Sequence, residues 1–179
     1  ALAAENANVV FTCVGNDNDV RSVIYGDQGV LAGMQTGAVL VDHTTASPRL
    51  ARELESAFQA QACGFLDAPV SGGQAGAENG QLTIMVGGDS APFEKTRPIM
   101  ECYAKSVRLM GDAGSGQLTK AVNQICIAGI LQGLSEGLHF AEQVGLNINA
   151  VVEVIAEGSA QSWQMENRSA TMAEGKFDY

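Results

Sequence analysis

The sequence has little basic charge. Lysine and arginine total 10 residues against 20 aspartates and glutamates, which gives a formal net charge of −10. Proteins that bind nucleic acid need a positively charged surface for the phosphate backbone. The charge balance therefore argues against nucleic acid as a partner.

Long apolar runs are also absent. No stretch approaches the roughly 20 apolar residues that a membrane-spanning helix needs. The first residues, ALAAENANVV, lack the basic and then apolar layout of a signal peptide. We therefore expect a cytoplasmic protein with no membrane partner.

Closely spaced cysteine pairs are missing as well. Cys13, Cys63, Cys102 and Cys126 lie far apart and form no CxxC motif. This spacing argues against a metal site or a redox motif, and three of the four lie in apolar segments. The pattern favours small core residues.

The chain has 179 residues, of which 46% are hydrophobic and 17% charged. These values suit one domain, or one domain plus part of another. An apolar stretch begins almost at once, and the first residue is not methionine. We expect a piece of a longer chain.

Short apolar runs recur along the first part of the sequence and predict buried strands. They cover residues 8–14, 38–42, 65–70, 82–87 and 106–110. Helix signals lie between them: Ser47 and Pro48 suit an N-cap and a first helical position, whereas Pro98 is expected to kink or divide its helix. The alternation predicts an α/β fold with a mostly parallel sheet, whose ligands gather at the carboxyl ends of the strands.

After Gly116 the pattern changes to about 29 residues of uninterrupted helix without proline. Such a helix is longer than is usual in globular domains and is expected to lead into a second, all-helical domain. Gly129, Gly133 and Gly137 form a stripe on it that predicts close packing of another helix. The predicted domains are a partial Rossmann-like domain over residues 1–114 and a partial all-helical domain over residues 115–179.

Two groups of residues are candidates for chemistry. Lys120, Asn123 and Gln124 fall on one face of the long helix and could protonate and orient a carbonyl or hydroxyl substrate. From spacing alone, a solvated polar face is the favoured alternative. The segment from Ser71 to Gly73 follows a strand that ends at Val70, so its backbone N–H groups and the Ser71 hydroxyl could bind a carboxylate. A flexible glycine loop is the alternative.

The segments FLDAPVSGGQAGAENGQLTIMVGG and GSGQLTKAVNQ resemble the substrate-binding and catalytic signatures of the β-hydroxyacid dehydrogenase family. This family includes 3-hydroxyisobutyrate dehydrogenase, tartronate semialdehyde reductase and, more distantly, 6-phosphogluconate dehydrogenase. GDQGVL and VDHTTASP agree with the same family. The resemblance covers essentially the whole chain.

The resemblance implies roles for the candidate residues. Lys120 matches the catalytic lysine, which protonates the carbonyl oxygen in reduction and takes the proton back in oxidation. Asn123 and Gln124 match the amide pair behind it, although many relatives carry a second asparagine where Gln124 stands. The residues Ser71, Gly72 and Gly73 match the segment that holds the substrate carboxylate.

Cofactor contacts follow from the same resemblance, which implies NAD or NADP. Val14 and Gly15 occupy a strand end that usually reads leucine–proline, and Thr45 matches a Ser/Thr near the nicotinamide ribose. The alternative for Thr45 is a helix-entry hydroxyl beside Ser47. The GxGxxG loop and the ribose selector of the family are not among these 179 residues, so the choice between NAD and NADP cannot be read. We expect the 179-residue chain alone to be inactive.

The resemblance thus implies an oxidoreductase that moves a hydride between a nicotinamide cofactor and a small carboxylate substrate, a 3-hydroxy acid or its semialdehyde. It also implies a homo-oligomer formed through the helical domain. The alternatives are a reductase of glyoxylate or succinic semialdehyde, and a non-catalytic binding module, against which Lys120 argues. Neither His43 nor His139 has a convincing partner by spacing, so no catalytic role is assigned to them.

Overall fold

In the computed structural model, residues 1–176 are described, and they form six strands and eight α-helices. The strands are β1 (Val9–Thr12), β2 (Val39–Asp42), β3 (Gly64–Asp67), β4 (Val70–Ser71), β5 (Leu82–Gly88) and β6 (Ala104–Gly111). The helices are α1 (Asp17–Ile24), α2 (Val30–Gly33), α3 (Pro48–Gln59), α4 (Gly73–Glu78), α5 (Ser90–Met100), α6 (Ser115–Gln143), α7 (Ile148–Ala156) and α8 (Trp163–Ala173). The α/β fold expected from the sequence is confirmed.

The sheet is parallel at both sides and antiparallel in the middle. Strands β1, β2 and β3 pair in parallel, as do β5 and β6, but β5 runs antiparallel to both β3 and β4. A parallel connection needs a crossover of a dozen or more residues, usually a helix along the sheet. Between β3 and β5 the chain forms only the two-residue β4 and the six-residue α4. Because no crossover helix of that length lies between β3 and β5, β5 runs antiparallel to β3, whereas strict alternation of strands and helices would predict a parallel pair.

Both faces of the sheet are covered by apolar side chains. Leu40 of β2 packs on one face with Leu54 and Phe58 of α3, whereas Val39 and Val41 of the same strand pack on the other face. All four residues of β2 are buried. A strand buried on both faces is typical of parallel sheets with helices on each side.

The helix-start prediction is confirmed, and the prediction that Pro98 divides its helix is wrong. The Ser47 hydroxyl accepts a hydrogen bond from the Leu50 amide at 3.1 Å, and Pro48 is the first residue of α3. Helix α5 is neither divided nor ended at Pro98, since it runs on to Met100. Pro98 lies in the last turn, where few backbone hydrogen bonds remain to be lost.

The chain divides into two compact units, residues 1–121 and the residues from 122 onward. The first holds the sheet. In the second, Leu134 and Leu138 of α6 pack with Met165 of α8 and with apolar residues of α7. Apart from the adjacent residues and nearby backbone of α6 itself, no atom of the described residues lies within 4 Å of a β-carbon built on Gly129, Gly133 or Gly137, so the expected helix packing on that stripe is not found there.

The prediction of core cysteines is wrong for three of the four. Cys63 is buried, whereas Cys13, Cys102 and Cys126 are exposed, and all four are free thiols. Apolar neighbours in sequence did not determine burial: Cys13 lies just after β1, Cys102 lies just after α5, and Cys126 lies at an exposed position of α6. No helix in residues 1–176 is long and apolar enough to cross a membrane.

Candidate active site

The ends of β1 and β2 are joined by a buried carboxylate. Asp42, at the end of β2, accepts hydrogen bonds on Oδ1 from the hydroxyl of Thr12 at 2.9 Å and from the hydroxyl of Thr44 at 2.6 Å. The Thr44 hydroxyl in turn accepts the Val14 amide at 3.0 Å. These bonds fix the segment after β1 against the segment after β2. Burial raises the pKa of Asp42, while the hydrogen bonds from Thr44 and Thr12 act to lower it.

The structure brings the predicted cofactor residues to this edge. Val14 and Gly15 follow β1, and Thr45 follows β2 with an exposed side chain. A β-carbon on Gly15 would lie 2.5 Å from Oδ2 of Asp19, in the first turn of α1. Helix α1 starts directly afterwards, capped by the Asn16 side chain. All three predicted positions therefore lie at the carboxyl ends of parallel strands, where ligands bind in such sheets.

Gln117 holds the segment that carries Thr45. Its Oε1 accepts the Ala46 amide at 2.9 Å, and its Nε2 donates to the Thr44 carbonyl at 2.7 Å. Gln117 lies in the first turn of α6 and is buried. The backbone on both sides of Thr45 is thus bound to the helix that carries Lys120.

A second buried carboxylate fixes the start of α6. Asp67, the last residue of β3, accepts the Gly114 amide on Oδ1 at 2.7 Å and the Gln117 amide on Oδ2 at 2.9 Å. The first N–H groups of a helix have no partner within the helix, and a carboxylate there also interacts favourably with the helix dipole. The helix approaches the sheet closely here, since a β-carbon on Gly116 would meet the carbonyl oxygens of Met85 and Asp67.

Lys120 reaches the start of the segment that was predicted to bind a carboxylate, which the structure forms from the end of β4 and the start of α4. Its Nζ donates to the Val70 carbonyl at 2.8 Å, one residue before Ser71. The side chain is partly buried, and this burial lowers the pKa of Lys120. The lysine and the Ser71–Gly73 segment, separated by about 50 residues in sequence, are therefore neighbours.

The two glycines of that segment, Gly72 and Gly73, differ in their local surroundings. Gly72 has φ +134°, and a β-carbon on it would lie 3.1 Å from Cδ2 of Leu82, so its conformation and packing alone require glycine. Gly73 has φ +61°, and its β-carbon position faces open space. Within the described residues the Ser71 hydroxyl has no hydrogen-bond partner. Both glycines therefore have a backbone conformation that favours glycine, and the role of the segment in binding a ligand stays a prediction.

Asn123 and Gln124 lie on the same unbroken helix as Lys120. The Asn123 Nδ2 donates to the Gln124 Oε1 at 2.9 Å. Gln124 is exposed and Asn123 is half-buried. Both amides therefore remain open to further hydrogen bonds.

Sequence reasoning missed four residues that build this site. They are Asp42, Thr44, Asp67 and Gln117. The available signal for Asp42 and Asp67 was an aspartate at the end of an apolar run, in AVLVD and in FLD. The carboxyl ends of neighbouring parallel strands lie at the same edge of a sheet, so such residues come close to one another. His43 also has partners that spacing did not reveal: its ring nitrogens bond the Ala68 carbonyl at 2.7 Å and the Tyr103 hydroxyl at 2.8 Å.

Comparison with known proteins agrees with this arrangement. A family model described as the NAD binding domain of 6-phosphogluconate dehydrogenase matches residues 1–111. A second, described as the NAD-binding of NADP-dependent 3-hydroxyisobutyrate dehydrogenase, matches residues 114–179. The two models together account for nearly the whole chain.

Individual relatives point the same way. The chain is 57% identical over 177 residues to an uncharacterized oxidoreductase of Shewanella frigidimarina, covering 99% of this chain and 61% of the relative. It is 48% identical over 169 residues to probable 3-hydroxyisobutyrate dehydrogenase-like 2, mitochondrial, of Arabidopsis thaliana, covering 94% of this chain and 56% of the relative.

Among solved structures, Mycobacterium tuberculosis 3-hydroxyisobutyrate dehydrogenase with L-serine matches with a TM-score of 0.86 and 29% identity, covering 99% of this chain and 62% of that one. The chain spans about 61% of the length of the Shewanella relative and about 56% of the Arabidopsis one. The family models, the relatives and the fold agree with one another. The chain belongs to the β-hydroxyacid dehydrogenase family.

Proposed function

We propose that the protein transfers a hydride between NAD or NADP and a small 3-hydroxy acid or its semialdehyde, of the 3-hydroxyisobutyrate or tartronate semialdehyde type. Family membership supports this class of reaction. The observation that carries the proposal is the 2.8 Å hydrogen bond from Lys120 Nζ to the Val70 carbonyl. It supports the assignment of Lys120 as the proton donor, beside the Ser71–Gly73 segment that is proposed to bind the substrate carboxylate.

Lys120 acts as the acid and base. In reduction its ammonium gives a proton to the carbonyl oxygen of the substrate, and in oxidation the neutral amine takes the proton from the hydroxyl. Burial lowers the pKa of Lys120, which brings it closer to the operating pH and so favours both directions. The nicotinamide, when bound, supplies or accepts the hydride.

The Ser71–Gly73 segment binds the carboxylate. The Ser71 hydroxyl has no partner within residues 1–176, and Gly72, the N-cap of α4, has no side chain that could accept hydrogen bonds from the first N–H groups of that helix. Hydroxyl and backbone N–H groups are suitable donors to a carboxylate. Asn123 and Gln124 are assigned to orient the reacting oxygen.

Val14, Gly15 and Thr45 fit a nucleotide cofactor. They follow two adjacent parallel strands, and the Thr45 side chain is exposed while the backbone on each side of it is hydrogen-bonded to Gln117. A fixed backbone with an exposed hydroxyl can present a donor and an acceptor to a ribose.

The reaction is tested with the full-length protein. Each of 3-hydroxyisobutyrate, tartronate semialdehyde, glyoxylate and succinic semialdehyde is assayed with NAD and with NADP, in the oxidised or reduced form that the direction needs, by the absorbance of the reduced nicotinamide. We expect the highest kcat/KM with a 3-hydroxy acid or its semialdehyde. Faster turnover of glyoxylate or succinic semialdehyde would favour the alternative reductase, and turnover of none would favour a binding module.

Ser71→Ala is expected to raise KM for the carboxylate substrate by about 10- to 100-fold, because a hydrogen bond to a charged group contributes roughly 1.5–3 kcal/mol. The dissociation constant of the cofactor should stay unchanged, since Ser71 is assigned to the substrate alone. Steady-state kinetics and cofactor fluorescence measure the two quantities. Ser56→Ala, at an exposed position of α3, is the control. An unchanged KM would remove Ser71 from the carboxylate site.

A further inference from the structure

Gln117 connects two parts of the site that have separate roles. It is 3% exposed and lies in the first turn of α6, three residues before Lys120. Its side chain crosses to the segment after β2, where it accepts the Ala46 amide at 2.9 Å and donates to the Thr44 carbonyl at 2.7 Å. The two backbone partners stand directly before and after Thr45.

The backbone of Gln117 is fixed as well. Its amide donates to Oδ2 of Asp67 at 2.9 Å, and the other oxygen of Asp67 accepts the Gly114 amide at 2.7 Å. Thr44, at the other end of the link, is held by its hydroxyl on Asp42 at 2.6 Å. Gln117 therefore joins two points that buried carboxylates already hold in place.

The link requires an amide side chain. A carboxamide has one donor and one acceptor group, which match the Thr44 carbonyl and the Ala46 N–H. An ionised carboxylate has only acceptors, and an apolar side chain has neither. An ionised carboxylate would leave the Thr44 carbonyl without a donor, and an apolar side chain would leave both backbone groups without a partner. Leaving a buried polar group unpaired is unfavourable.

We propose that Gln117 is a positioning residue that sets where the Thr45 segment lies relative to Lys120, and so aligns the cofactor with the proton donor. This inference rests on the proposed function. Hydride and proton must reach adjacent atoms of the same substrate, and a displacement of about 1 Å in such an arrangement lowers the rate by roughly 10²-fold. Gln117 contacts neither reacting group, so it acts only through the backbone that it holds.

The test compares Gln117→Met and Gln117→Glu with the wild type in the full-length protein. Gln117→Met keeps a side chain of similar size but removes both hydrogen bonds. We expect kcat to fall by about 10- to 100-fold. KM for the carboxylate substrate should change by less than about 3-fold, because the Ser71 segment is untouched. Gln59→Met, at an exposed position of α3, controls for the chemical change.

Gln117→Glu gives a pH readout that a purely structural role would not produce. A protonated carboxyl has one donor and one acceptor, as the amide has, whereas the ionised form does not. The nearby charged groups, Asp42 behind Thr44 and Asp67 on the Gln117 amide, are both carboxylates and favour the protonated form. The ratio of variant to wild-type kcat for reduction should therefore rise as pH falls.

Hydrogen exchange supplies a readout that does not depend on activity. In Gln117→Met, the amides of residues 44–46 should exchange faster while those of β2 keep their protection. Unchanged exchange at residues 44–46 would overturn the inference whether or not the enzyme turns over. If the wild type is active, faster exchange in Gln117→Met together with a kcat equal to that of the wild type would also overturn the inference. If the wild type is inactive on every hydroxy acid, the proposed function fails, and the inference fails with it even where the segment loosens.

Discussion

Lys120→Ala in the full-length protein is expected to lower kcat by about 10²- to 10⁴-fold, the usual contribution of a positioned acid or base. Charge develops on the carbonyl oxygen only as the hydride is transferred, so the loss falls on the transition state and not on ground-state binding. The affinity for the cofactor should barely change. Steady-state kinetics with a separate fluorescence titration of the cofactor measure both.

Lys120→Arg and the pH profile of the wild type sharpen this expectation. Arginine keeps the charge but does not readily release a proton, so Lys120→Arg should remain strongly impaired. Since burial lowers the pKa of Lys120, the rate of reduction should fall as pH rises through that lowered value, because the ammonium is the active form. The rate of oxidation should rise over the same range, because the neutral amine is then the base.

The control for Lys120 is Lys105→Ala, at an exposed position of β6. It removes the same charge from the same unit and should leave kcat unchanged. Near-wild-type turnover in Lys120→Ala would show that another group donates the proton, and that the hydrogen bond to the Val70 carbonyl is structural.

Gly116→Ala is expected to lower the free energy of unfolding of the sheet unit by about 1–3 kcal/mol, the usual effect of forcing an extra methyl group into a tightly packed site. The new β-carbon would meet the Met85 carbonyl oxygen and would lie 2.7 Å from the Asp67 carbonyl oxygen and 2.8 Å from its Oδ2. Backbone atoms cannot move aside as the end of a side chain can. Urea denaturation of the full-length protein, followed by circular dichroism, measures the change.

Gly76→Ala provides the matched control, because Gly76 is also helical and has no positive φ. A β-carbon there would lie 3.4 Å from Cδ2 of Leu82, an ordinary contact. Alanine is favoured over glycine in helices by roughly 1 kcal/mol, so this variant should be neutral or slightly more stable. Equal stability of Gly116→Ala and the wild type would mean that α6 can move away from the sheet.

Local patterns predicted the elements of this fold well. Strands β1, β2, β5 and β6 and helix α6 lie where apolar runs and the absence of proline placed them, because these properties depend on residues a few positions apart. The single strand predicted for residues 65–70 is instead divided into β3 and β4. The Ser47 cap is local in the same way. The prediction of a broken helix at Pro98 failed because the effect of a proline depends on its distance from the helix end, and that end depends on packing.

The links that build the candidate site could not be predicted in this way. Lys120 and Val70 are 50 positions apart, and Gln117 and Thr44 are 73 apart. Nothing in the residues near Gln117 indicates a partner after β2. Such contacts follow from the order of strands in the sheet, and the antiparallel turn into β5 was itself not expected.

The hydrogen bond between Lys120 and the Val70 carbonyl orders the side chain of the proposed proton donor before any substrate binds. A free lysine side chain samples many rotamers, and fixing it opposes binding by up to about 2 kcal/mol. Here a backbone acceptor at 2.8 Å already holds the ammonium, so most of that entropy is lost during folding. In the proposed reaction, substrate binding then involves the exchange of one acceptor for another at a side chain that is already in place. In this sense the proposed site is preorganised, and the binding energy of the substrate carboxylate remains available for the reaction.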